Sequence, residues 1–268
     1  MNFIEYLTAR EDLRVRKENN QSPWTTDQIL NDWSFCNVFR EDDAASRWMI
    51  DNLIAGENDM EKLLFSIFTY RRFNLIETGE TLTKFNLFEQ WDANSALIEI
   101  QKQPKKFNSA YRTKVPDGDK VVETLKICDD FYMHSPRHLS RILSADSLED
   151  VHEYLKTIKW VGPFGGYQFL VDLTYTPMCA NKNGLFDWCF PGPGAVRGLN
   201  RMHRRAVDFT SGTYDFLGEI QDLRDEMNEH PHFKLGGFRA MDIQHNLCEY
   251  DKYHRVLEGG RMKRRYRK

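Results

Sequence analysis

The sequence predicts an all-α fold, and three observations carry that prediction. Apolar residues recur three and four positions apart through most of the 268 residues, which is the spacing of one helix face. Serine, threonine, aspartate and proline stand where several of these runs begin, as helix caps do. No run that alternates between apolar and polar residues is long enough to require a large sheet.

The first two helices are predicted from an apolar stripe and a cap. The N-terminal helix carries Phe3, Tyr6 and Leu7 on its apolar face, and Arg10 on the opposite, polar face. A threonine cap that precedes Ile29 opens the second helix.

The later helices follow from the same signals. Ser135 followed by a proline is typical of a first helical turn, and Ser147 with Asp150 resembles a capping box. The segment 103–119 is rich in Pro, Lys, Gly and Asp, and is predicted to be a long loop or hairpin. The remaining helices are expected over residues 42–55, 57–72, 121–133, from Ser135 onward, 147–157, from after Gly166 to Tyr175, 211–229 and 240–258.

Composition and charge narrow the class of protein. The net charge of −3 argues against coating nucleic acid by bulk charge, although a local basic face still acts over about 8 Å at physiological salt. The five cysteines lack CxxC spacing and the histidines are scattered, so no disulfide framework, metal site or cofactor is predicted. The absence of an apolar signal sequence or a run of ~20 apolar residues predicts a cytoplasmic protein without a membrane partner.

The segment from Leu155 to Leu170 has the layout of a helix-hairpin-helix element. A helix ends, a glycine-containing turn follows, and a second apolar helix begins at once. The N-terminus of that second helix offers backbone N–H groups to a phosphate, and Gly162 and Gly165 permit close approach of a sugar-phosphate backbone. An ordinary helical hairpin with glycine packing is the alternative.

A second glycine-rich turn, from Pro191 to Leu199, enters another helix. Gly192 and Gly194 expose N–H groups that suit a phosphate or pyrophosphate, and Arg197 adds a charge-assisted fork. The turn is neither a Walker A loop nor a dinucleotide fingerprint. A plain helix N-terminus with proline in its first turn is the alternative.

Two further segments combine acidic and basic residues. His245, Glu249 and Lys252 lie at i, i+4 and i+7 on one predicted helix, where Glu249 is a candidate general base beside a cation. Arg40 and Asp43 meet at a predicted helix junction. A solvated face and a structural ion pair are the respective alternatives. The tail 261–268 carries six cations, which suits DNA phosphates or simply keeps the chain in solution.

An ordered set of motifs resembles one family. The set covers residues 3–265, and its members are Arg10, Lys17, Pro23-Trp24-Thr25, Asp27, Ile29-Leu30, Phe35, Asn37-Val38, Arg40, Asp43, Ser46, Phe107, Ala110-Tyr111, Gly118, Lys120, Trp160–Phe164, Gly192–Ala195, Arg197-Gly198 and Leu247–Tyr253. It is similar to the helical domain of 5-hydroxymethyluracil DNA kinases. That domain is shared with the α-glutamyl/putrescinyl-thymine pyrophosphorylases, also called amino acid:DNA transferases.

The resemblance implies a helix-hairpin-helix fold like that of DNA glycosylases and a role in phage-type hypermodification of thymine. In such pathways 5-hydroxymethyluracil becomes a pyrophosphate ester, and a transferase then displaces the pyrophosphate with an amine. This sequence shows no P-loop, so it resembles the transferase. The expected partners are double-stranded DNA carrying modified thymine and a free amino acid or polyamine, in the host cytoplasm if the protein is phage-encoded. One catalytic domain over 1–260 and a basic tail over 261–268 are expected.

The resemblance also suggests roles for the singled-out residues. The groups expected to hold the departing pyrophosphate are Arg40, Gly192, Gly194, Arg197 and Lys252. Glu249 or Asp43 would take the proton of the amine, although an elimination route through a methide, or attack by Cys248 at ring C6, is also conceivable. A glycosylase that uses Asp172 or Asp187, and a non-catalytic DNA-binding module, remain the competing functions.

Overall fold

The structure is a computed structural model that describes residues 1–108, 113–233 and 237–260. It confirms the all-α prediction, since the described residues form thirteen α-helices and no strand, and Ser147 and Asn183 form an isolated bridge. The helices are α1 (Phe3–Glu18), α2 (Gln28–Asp32), α3 (Ala44–Met49), α4 (Met60–Phe73), α5 (Ile76–Lys84), α6 (Ala93–Gln101), α7 (Lys120–Met133), α8 (Ser135–Ser144), α9 (Leu148–Thr157), α10 (Gly162–Leu173), α11 (Pro193–Met202), α12 (Phe216–Glu229) and α13 (Ala240–Leu257). No described helix has both the length and the apolar character needed to cross a membrane.

The chain divides into two compact units. Unit 1 consists of Met1–Asp43 and Phe186–Lys268, and unit 2 consists of Ala44–Leu185. The single catalytic domain over 1–260 stays a prediction from the sequence. The predicted basic tail over 261–268 and the Ala110-Tyr111 pair of the resemblance lie outside the described residues.

Unit 1 is organised around α13, which packs most extensively on α11 and also contacts α1, α2 and α12. The approach to α11 is close: a Cβ added to Gly198 would lie 2.3 Å from the carbonyl oxygen of Leu247. Only glycine fits there. On another side of α13, Phe3 of α1 packs edge-on against Tyr250, with ring centroids 5.4 Å apart.

Unit 2 is organised around α4, whose residues are buried from Leu63 to its end at Phe73. This helix contacts α7, α8 and α10. Phe68 stacks on Phe131 of α7 with ring centroids 3.7 Å apart. The helix also carries charge into the interior, because the side chain of Arg71 pairs with the fully buried Asp172 of α10.

Local signals located some helix ends and missed others. The predicted serine cap is confirmed, since the Ser147 hydroxyl accepts the backbone N–H of Asp150 at 3.1 Å and opens α9. The carboxylate of Asp150 accepts from that hydroxyl at 2.6 Å instead of completing a capping box. The predicted threonine cap of α2 is wrong: Asp27 is the cap and accepts the N–H of Leu30 at 2.8 Å. Helices α5 and α6 were not foreseen. Arg10, expected on the polar face of α1, is only 1% exposed.

Candidate functional site

In unit 1, α13 aligns His245, Glu249 and Lys252 along one side, as the sequence predicted. Glu249 is buried and accepts two kinds of donor: the backbone N–H of Cys36 at 3.0 Å, and Nζ of Lys252 at 2.7 Å to each carboxylate oxygen. Lys252 also lies over the ring of Phe35, 5.7 Å from its centroid. The segment 35–43 therefore packs directly against this side of α13.

Polar contacts fix the path of segment 35–43. The buried guanidinium of Arg10 donates to the carbonyl oxygens of Phe35 at 3.3 Å and Cys36 at 3.0 Å. The backbone N–H of Asn37 donates to Oδ1 of Asp43 at 2.8 Å, across a 3₁₀ turn over Arg40–Asp42. These bonds fold the segment back on itself, so that Cys36 and Asp43 face α13 together.

Three side chains that can ligate a metal meet at this point. The candidate ligand atoms of Cys36, Asp43 and His245 all lie within 4.8 Å of one another, and each residue is half-buried. Sequence reasoning missed this group and predicted no metal site. No spacing rule joins positions so far apart in the chain, and the cluster exists only because segment 35–43 packs on α13.

The charged groups of this cluster shift one another's pKa values. Burial alone would raise the pKa of Glu249, but the charges of Lys252 and His245 and the hydrogen bonds outweigh it and leave that pKa lowered. Burial raises the pKa of Asp43 despite the opposing influence of His245 and Arg40. Burial would lower the pKa of Lys252, yet Glu249 raises it. Glu249 and Lys252 therefore form an ion pair at neutral pH.

Of the predicted site residues, the structure brings Arg40, Asp43, Glu249 and Lys252 into one neighbourhood. The buried Arg40 begins the 3₁₀ turn, and its charge acts on both Asp43 and Cys36. Both acidic candidates thus have a cation nearby.

Arg197 lies on a different side of α13 from Glu249. Its Nε donates at 3.0 Å to Asp251, which is fully buried and which also accepts from Arg201 at 2.9 Å. Asp251 is two residues beyond Glu249, which is about 200° around the helix axis. The Arg197 side chain remains 38% exposed, so its role with a pyrophosphate stays a prediction.

Gly192 and Gly194, which belong to the same turn as Arg197, lie at the start of α11 and close to α13. Pro193 opens α11, with Gly192 as the residue before it. A Cβ on Gly194 would lie 2.8 Å from Sγ of Cys248, whereas one on Gly192 would make only ordinary contacts at 3.8 Å or more. Gly194 is therefore needed for the packing of α11 on α13, whereas a side chain at Gly192 would not clash with its neighbours. Burial raises the pKa of Cys248 to about 12, which disfavours its thiolate as a nucleophile.

The predicted hairpin lies in unit 2, between the end of α9 and the start of α10. Gly162 has a left-handed φ of +65° and open space around it, and Gly165 meets only Val161. Trp160 and Phe164 are 39% and 55% exposed. A turn flanked by two exposed aromatic rings is consistent with a contact surface.

The two candidate glycosylase carboxylates sit in contrasting places. Asp172 is fully buried and ion-paired to Arg71, while Asp187 is exposed and its carbonyl accepts from Gln221 at 2.7 Å. The pair between Asp172 and Arg71 joins α10 to α4, which favours a structural role for Asp172. The catalytic role of either residue stays a prediction.

Comparison with known proteins places the chain in a family. A family model described as "5-hmdU DNA kinase, helical domain" matches residues 1–261, and the chain belongs to this family. A curated relative, the 5-hmdU DNA kinase of Bacillus phage SP10, is 24% identical over 287 aligned residues. The alignment covers 94% of this chain but 44% of the relative, so the chain spans less than half of that kinase. No solved structure gives a significant match.

Proposed function

We propose that this protein takes part in thymine hypermodification in DNA and displaces pyrophosphate from 5-pyrophosphoryloxymethyl-deoxyuridine with an amine. The observation that carries the proposal is the buried charged cluster of unit 1, on a chain whose family is defined by the helical domain of 5-hmdU DNA kinases. Shifted pKa values concentrate at functional sites, and in this cluster the pKa of Glu249 is lowered while that of Asp43 is raised, which favours a chemical task.

The reaction asks for a cation near the leaving group and a base near the amine. The amine nitrogen attacks the methylene carbon on C5 of the base, the carbon–oxygen bond breaks, and both electrons leave with the pyrophosphate. In our proposal Arg40 and Lys252 stabilise the departing negative charge, and Glu249 receives the proton that the amine nitrogen loses.

The target base must leave the stack to reach such a cluster, at a cost of a few kcal/mol. We propose that the hairpin of unit 2 contacts the DNA backbone, through the N–H groups near Gly162 and the exposed rings of Trp160 and Phe164. The expected substrates are double-stranded DNA with modified thymine and a free amino acid or polyamine.

One incubation separates this function from its competitors. The protein is mixed with duplex DNA containing 5-pyrophosphoryloxymethyl-deoxyuridine and a set of amino acids and polyamines. Pyrophosphate release supports the transfer when the product nucleoside has the mass of the substrate nucleoside plus one amine minus pyrophosphoric acid. Abasic sites would support a glycosylase, and binding without chemical change would support a DNA-binding module. Either of these outcomes overturns the transfer proposal.

Lys252→Gln tests the site within that assay. Loss of one cation that stabilises a leaving group is expected to slow turnover by about 10²-fold. The matched control is Lys126→Gln, which removes another lysine paired to a glutamate three residues earlier, Glu123, on the exposed surface of α7 in unit 2. Turnover of the control should equal that of the unmodified protein. Full turnover by a folded Lys252→Gln variant would remove the cluster from the mechanism.

A further inference from the structure

We propose that Cys36, Asp43 and His245 form a binding site for Zn²⁺ in unit 1. The three residues lie within one cluster, although 209 positions separate the first from the last along the chain. This inference concerns metal binding alone and does not depend on the transfer reaction.

The spacing of the ligand atoms fits a small inward movement around an ion. The atoms lie within 4.8 Å of one another. In a tetrahedral zinc site with bonds of about 2.0–2.3 Å, ligand atoms are roughly 3.3–3.8 Å apart. A shift of about 1 Å by half-buried side chains closes that difference, and their partial exposure leaves an entry path for the ion.

The donor set selects the class of metal. A thiolate, an imidazole and a carboxylate together suit zinc, while calcium and magnesium prefer sites made of oxygen atoms alone. The charges also balance, because one thiolate and one carboxylate neutralise a divalent ion and the imidazole remains neutral. A neutral assembly lowers the cost of placing the ion among half-buried groups.

His245 supplies an independent observation. Its Nε2 atom is buried and has no hydrogen-bond partner among the described residues. A buried polar atom without a partner has lost its hydration without replacement, and a metal bond would recover that cost. In folded proteins such an atom calls for an explanation, and ligation provides one.

The residues around the cluster orient the ligands as outer partners of metal sites do. The N–H of Asn37 holds Oδ1 of Asp43 at 2.8 Å, and Glu249 holds the backbone N–H of Cys36 at 3.0 Å. Such bonds fix the direction of ligating side chains before the ion arrives. With three protein ligands, a tetrahedral ion keeps a fourth position for water or an oxygen of an anionic ligand.

Cobalt titration tests the site without DNA. The full chain is stripped with a chelator, dialysed and titrated with Co²⁺, which takes up zinc sites and gives a thiolate-to-metal charge-transfer absorption. We expect one equivalent to bind with that absorption, and Zn²⁺ to displace it. The variants Cys36→Ser, Asp43→Asn and His245→Gln should each weaken binding by more than about 100-fold, beyond the effect of losing an outer partner.

Cys248→Ser is the matched control, because Cys248 is a half-buried thiol on the same helix and lies outside the ligand group. It should keep both the stoichiometry and the absorption, with circular dichroism showing that every variant is folded. Absence of Co²⁺ uptake by the unmodified protein would overturn the proposal, as would a charge-transfer band that persists in folded Cys36→Ser. Failure of the transfer assay would leave these results unchanged.

Discussion

Replacing Asp172 with asparagine is the sharpest test of the structural role that the fold gives this residue. The guanidinium of Arg71 donates to both oxygens of Asp172, and the side chains are 6% and 0% exposed. Arg71 also donates to Oδ1 of Asn74 at 2.9 Å, so the cation is fixed in place. The asparagine variant would remove the carboxylate charge that pairs with this buried cation.

The expected loss is large against the stability of a whole domain. Removing one partner of a buried ion pair costs about 3–5 kcal/mol, whereas a domain is stable by about 5–15 kcal/mol. Glu153→Gln is the surface comparison, since that 58% exposed carboxylate is paired to Lys156 and its loss should cost at most about 1 kcal/mol. The double variant Arg71→Met with Asp172→Leu removes both charges and should recover most of the loss.

Urea unfolding followed by circular dichroism measures each free energy. The reasoning fails if Asp172→Asn unfolds within about 1 kcal/mol of the unmodified protein, or if the double variant is as unstable as the single one. The turnover of the folded double variant then tests whether Asp172 has a catalytic role. Retained turnover on modified DNA would make Asp172 purely structural, and loss of every reaction in a folded protein would support a catalytic role.

Two further predictions concern packing and pH. Gly198→Ala should destabilise the protein by about 3 kcal/mol or more, since its Cβ would lie 2.3 Å from the carbonyl oxygen of Leu247. Gly192→Ala, at the cap of α11, should cost at most about 1 kcal/mol in the same urea assay, and equal losses would contradict the packing argument. Burial lowers the pKa of His138 in the folded protein to about 4. As the pH falls, the unfolded chain therefore binds a proton at this residue before the folded protein does. The free energy of unfolding should then decrease between about pH 6.5 and pH 4, by at most about 3 kcal/mol. His138→Gln should reduce the stability difference between pH 7 and pH 5, and an unchanged difference would refute the assignment.

The features that could be predicted from the sequence depend on residues that lie about four positions apart or closer along the chain. The serine cap at Ser147 and the shared side of His245, Glu249 and Lys252 both follow from helical spacing, and the structure contains both. Gly56 separates the predicted helices 42–55 and 57–72. In the structure it lies between α3 and α4 and has a left-handed φ of +78°. Such features depend on the local backbone, so they are visible without knowledge of the fold.

Long-range packing decided the features that the sequence could not supply. Arg10 was expected on the polar face because it is charged, although helical spacing places it on the same side of α1 as Phe3, Tyr6 and Leu7. Only the fold shows that its guanidinium donates to the carbonyl groups of Phe35 and Cys36. The bond between Cys36 and Glu249 joins residues 213 positions apart. Nothing local marks Cys36 as a partner of α13, so the possible metal ligands were not foreseen.

The two sides of α13 separate structural from chemical candidates. Asp251 ties Arg197 and Arg201 of α11 to α13, and Gly198 lets these two helices meet, so this side holds unit 1 together. The side with Glu249 packs against segment 35–43, and Nε2 of His245 is buried there with no hydrogen-bond partner in the part of the chain that the structure describes. A charge that holds helices together is expected to be replaceable by apolar packing, whereas one that acts on a substrate is not. Substitution by apolar residues should therefore leave turnover intact at Asp251 with Arg201 and abolish it at Glu249.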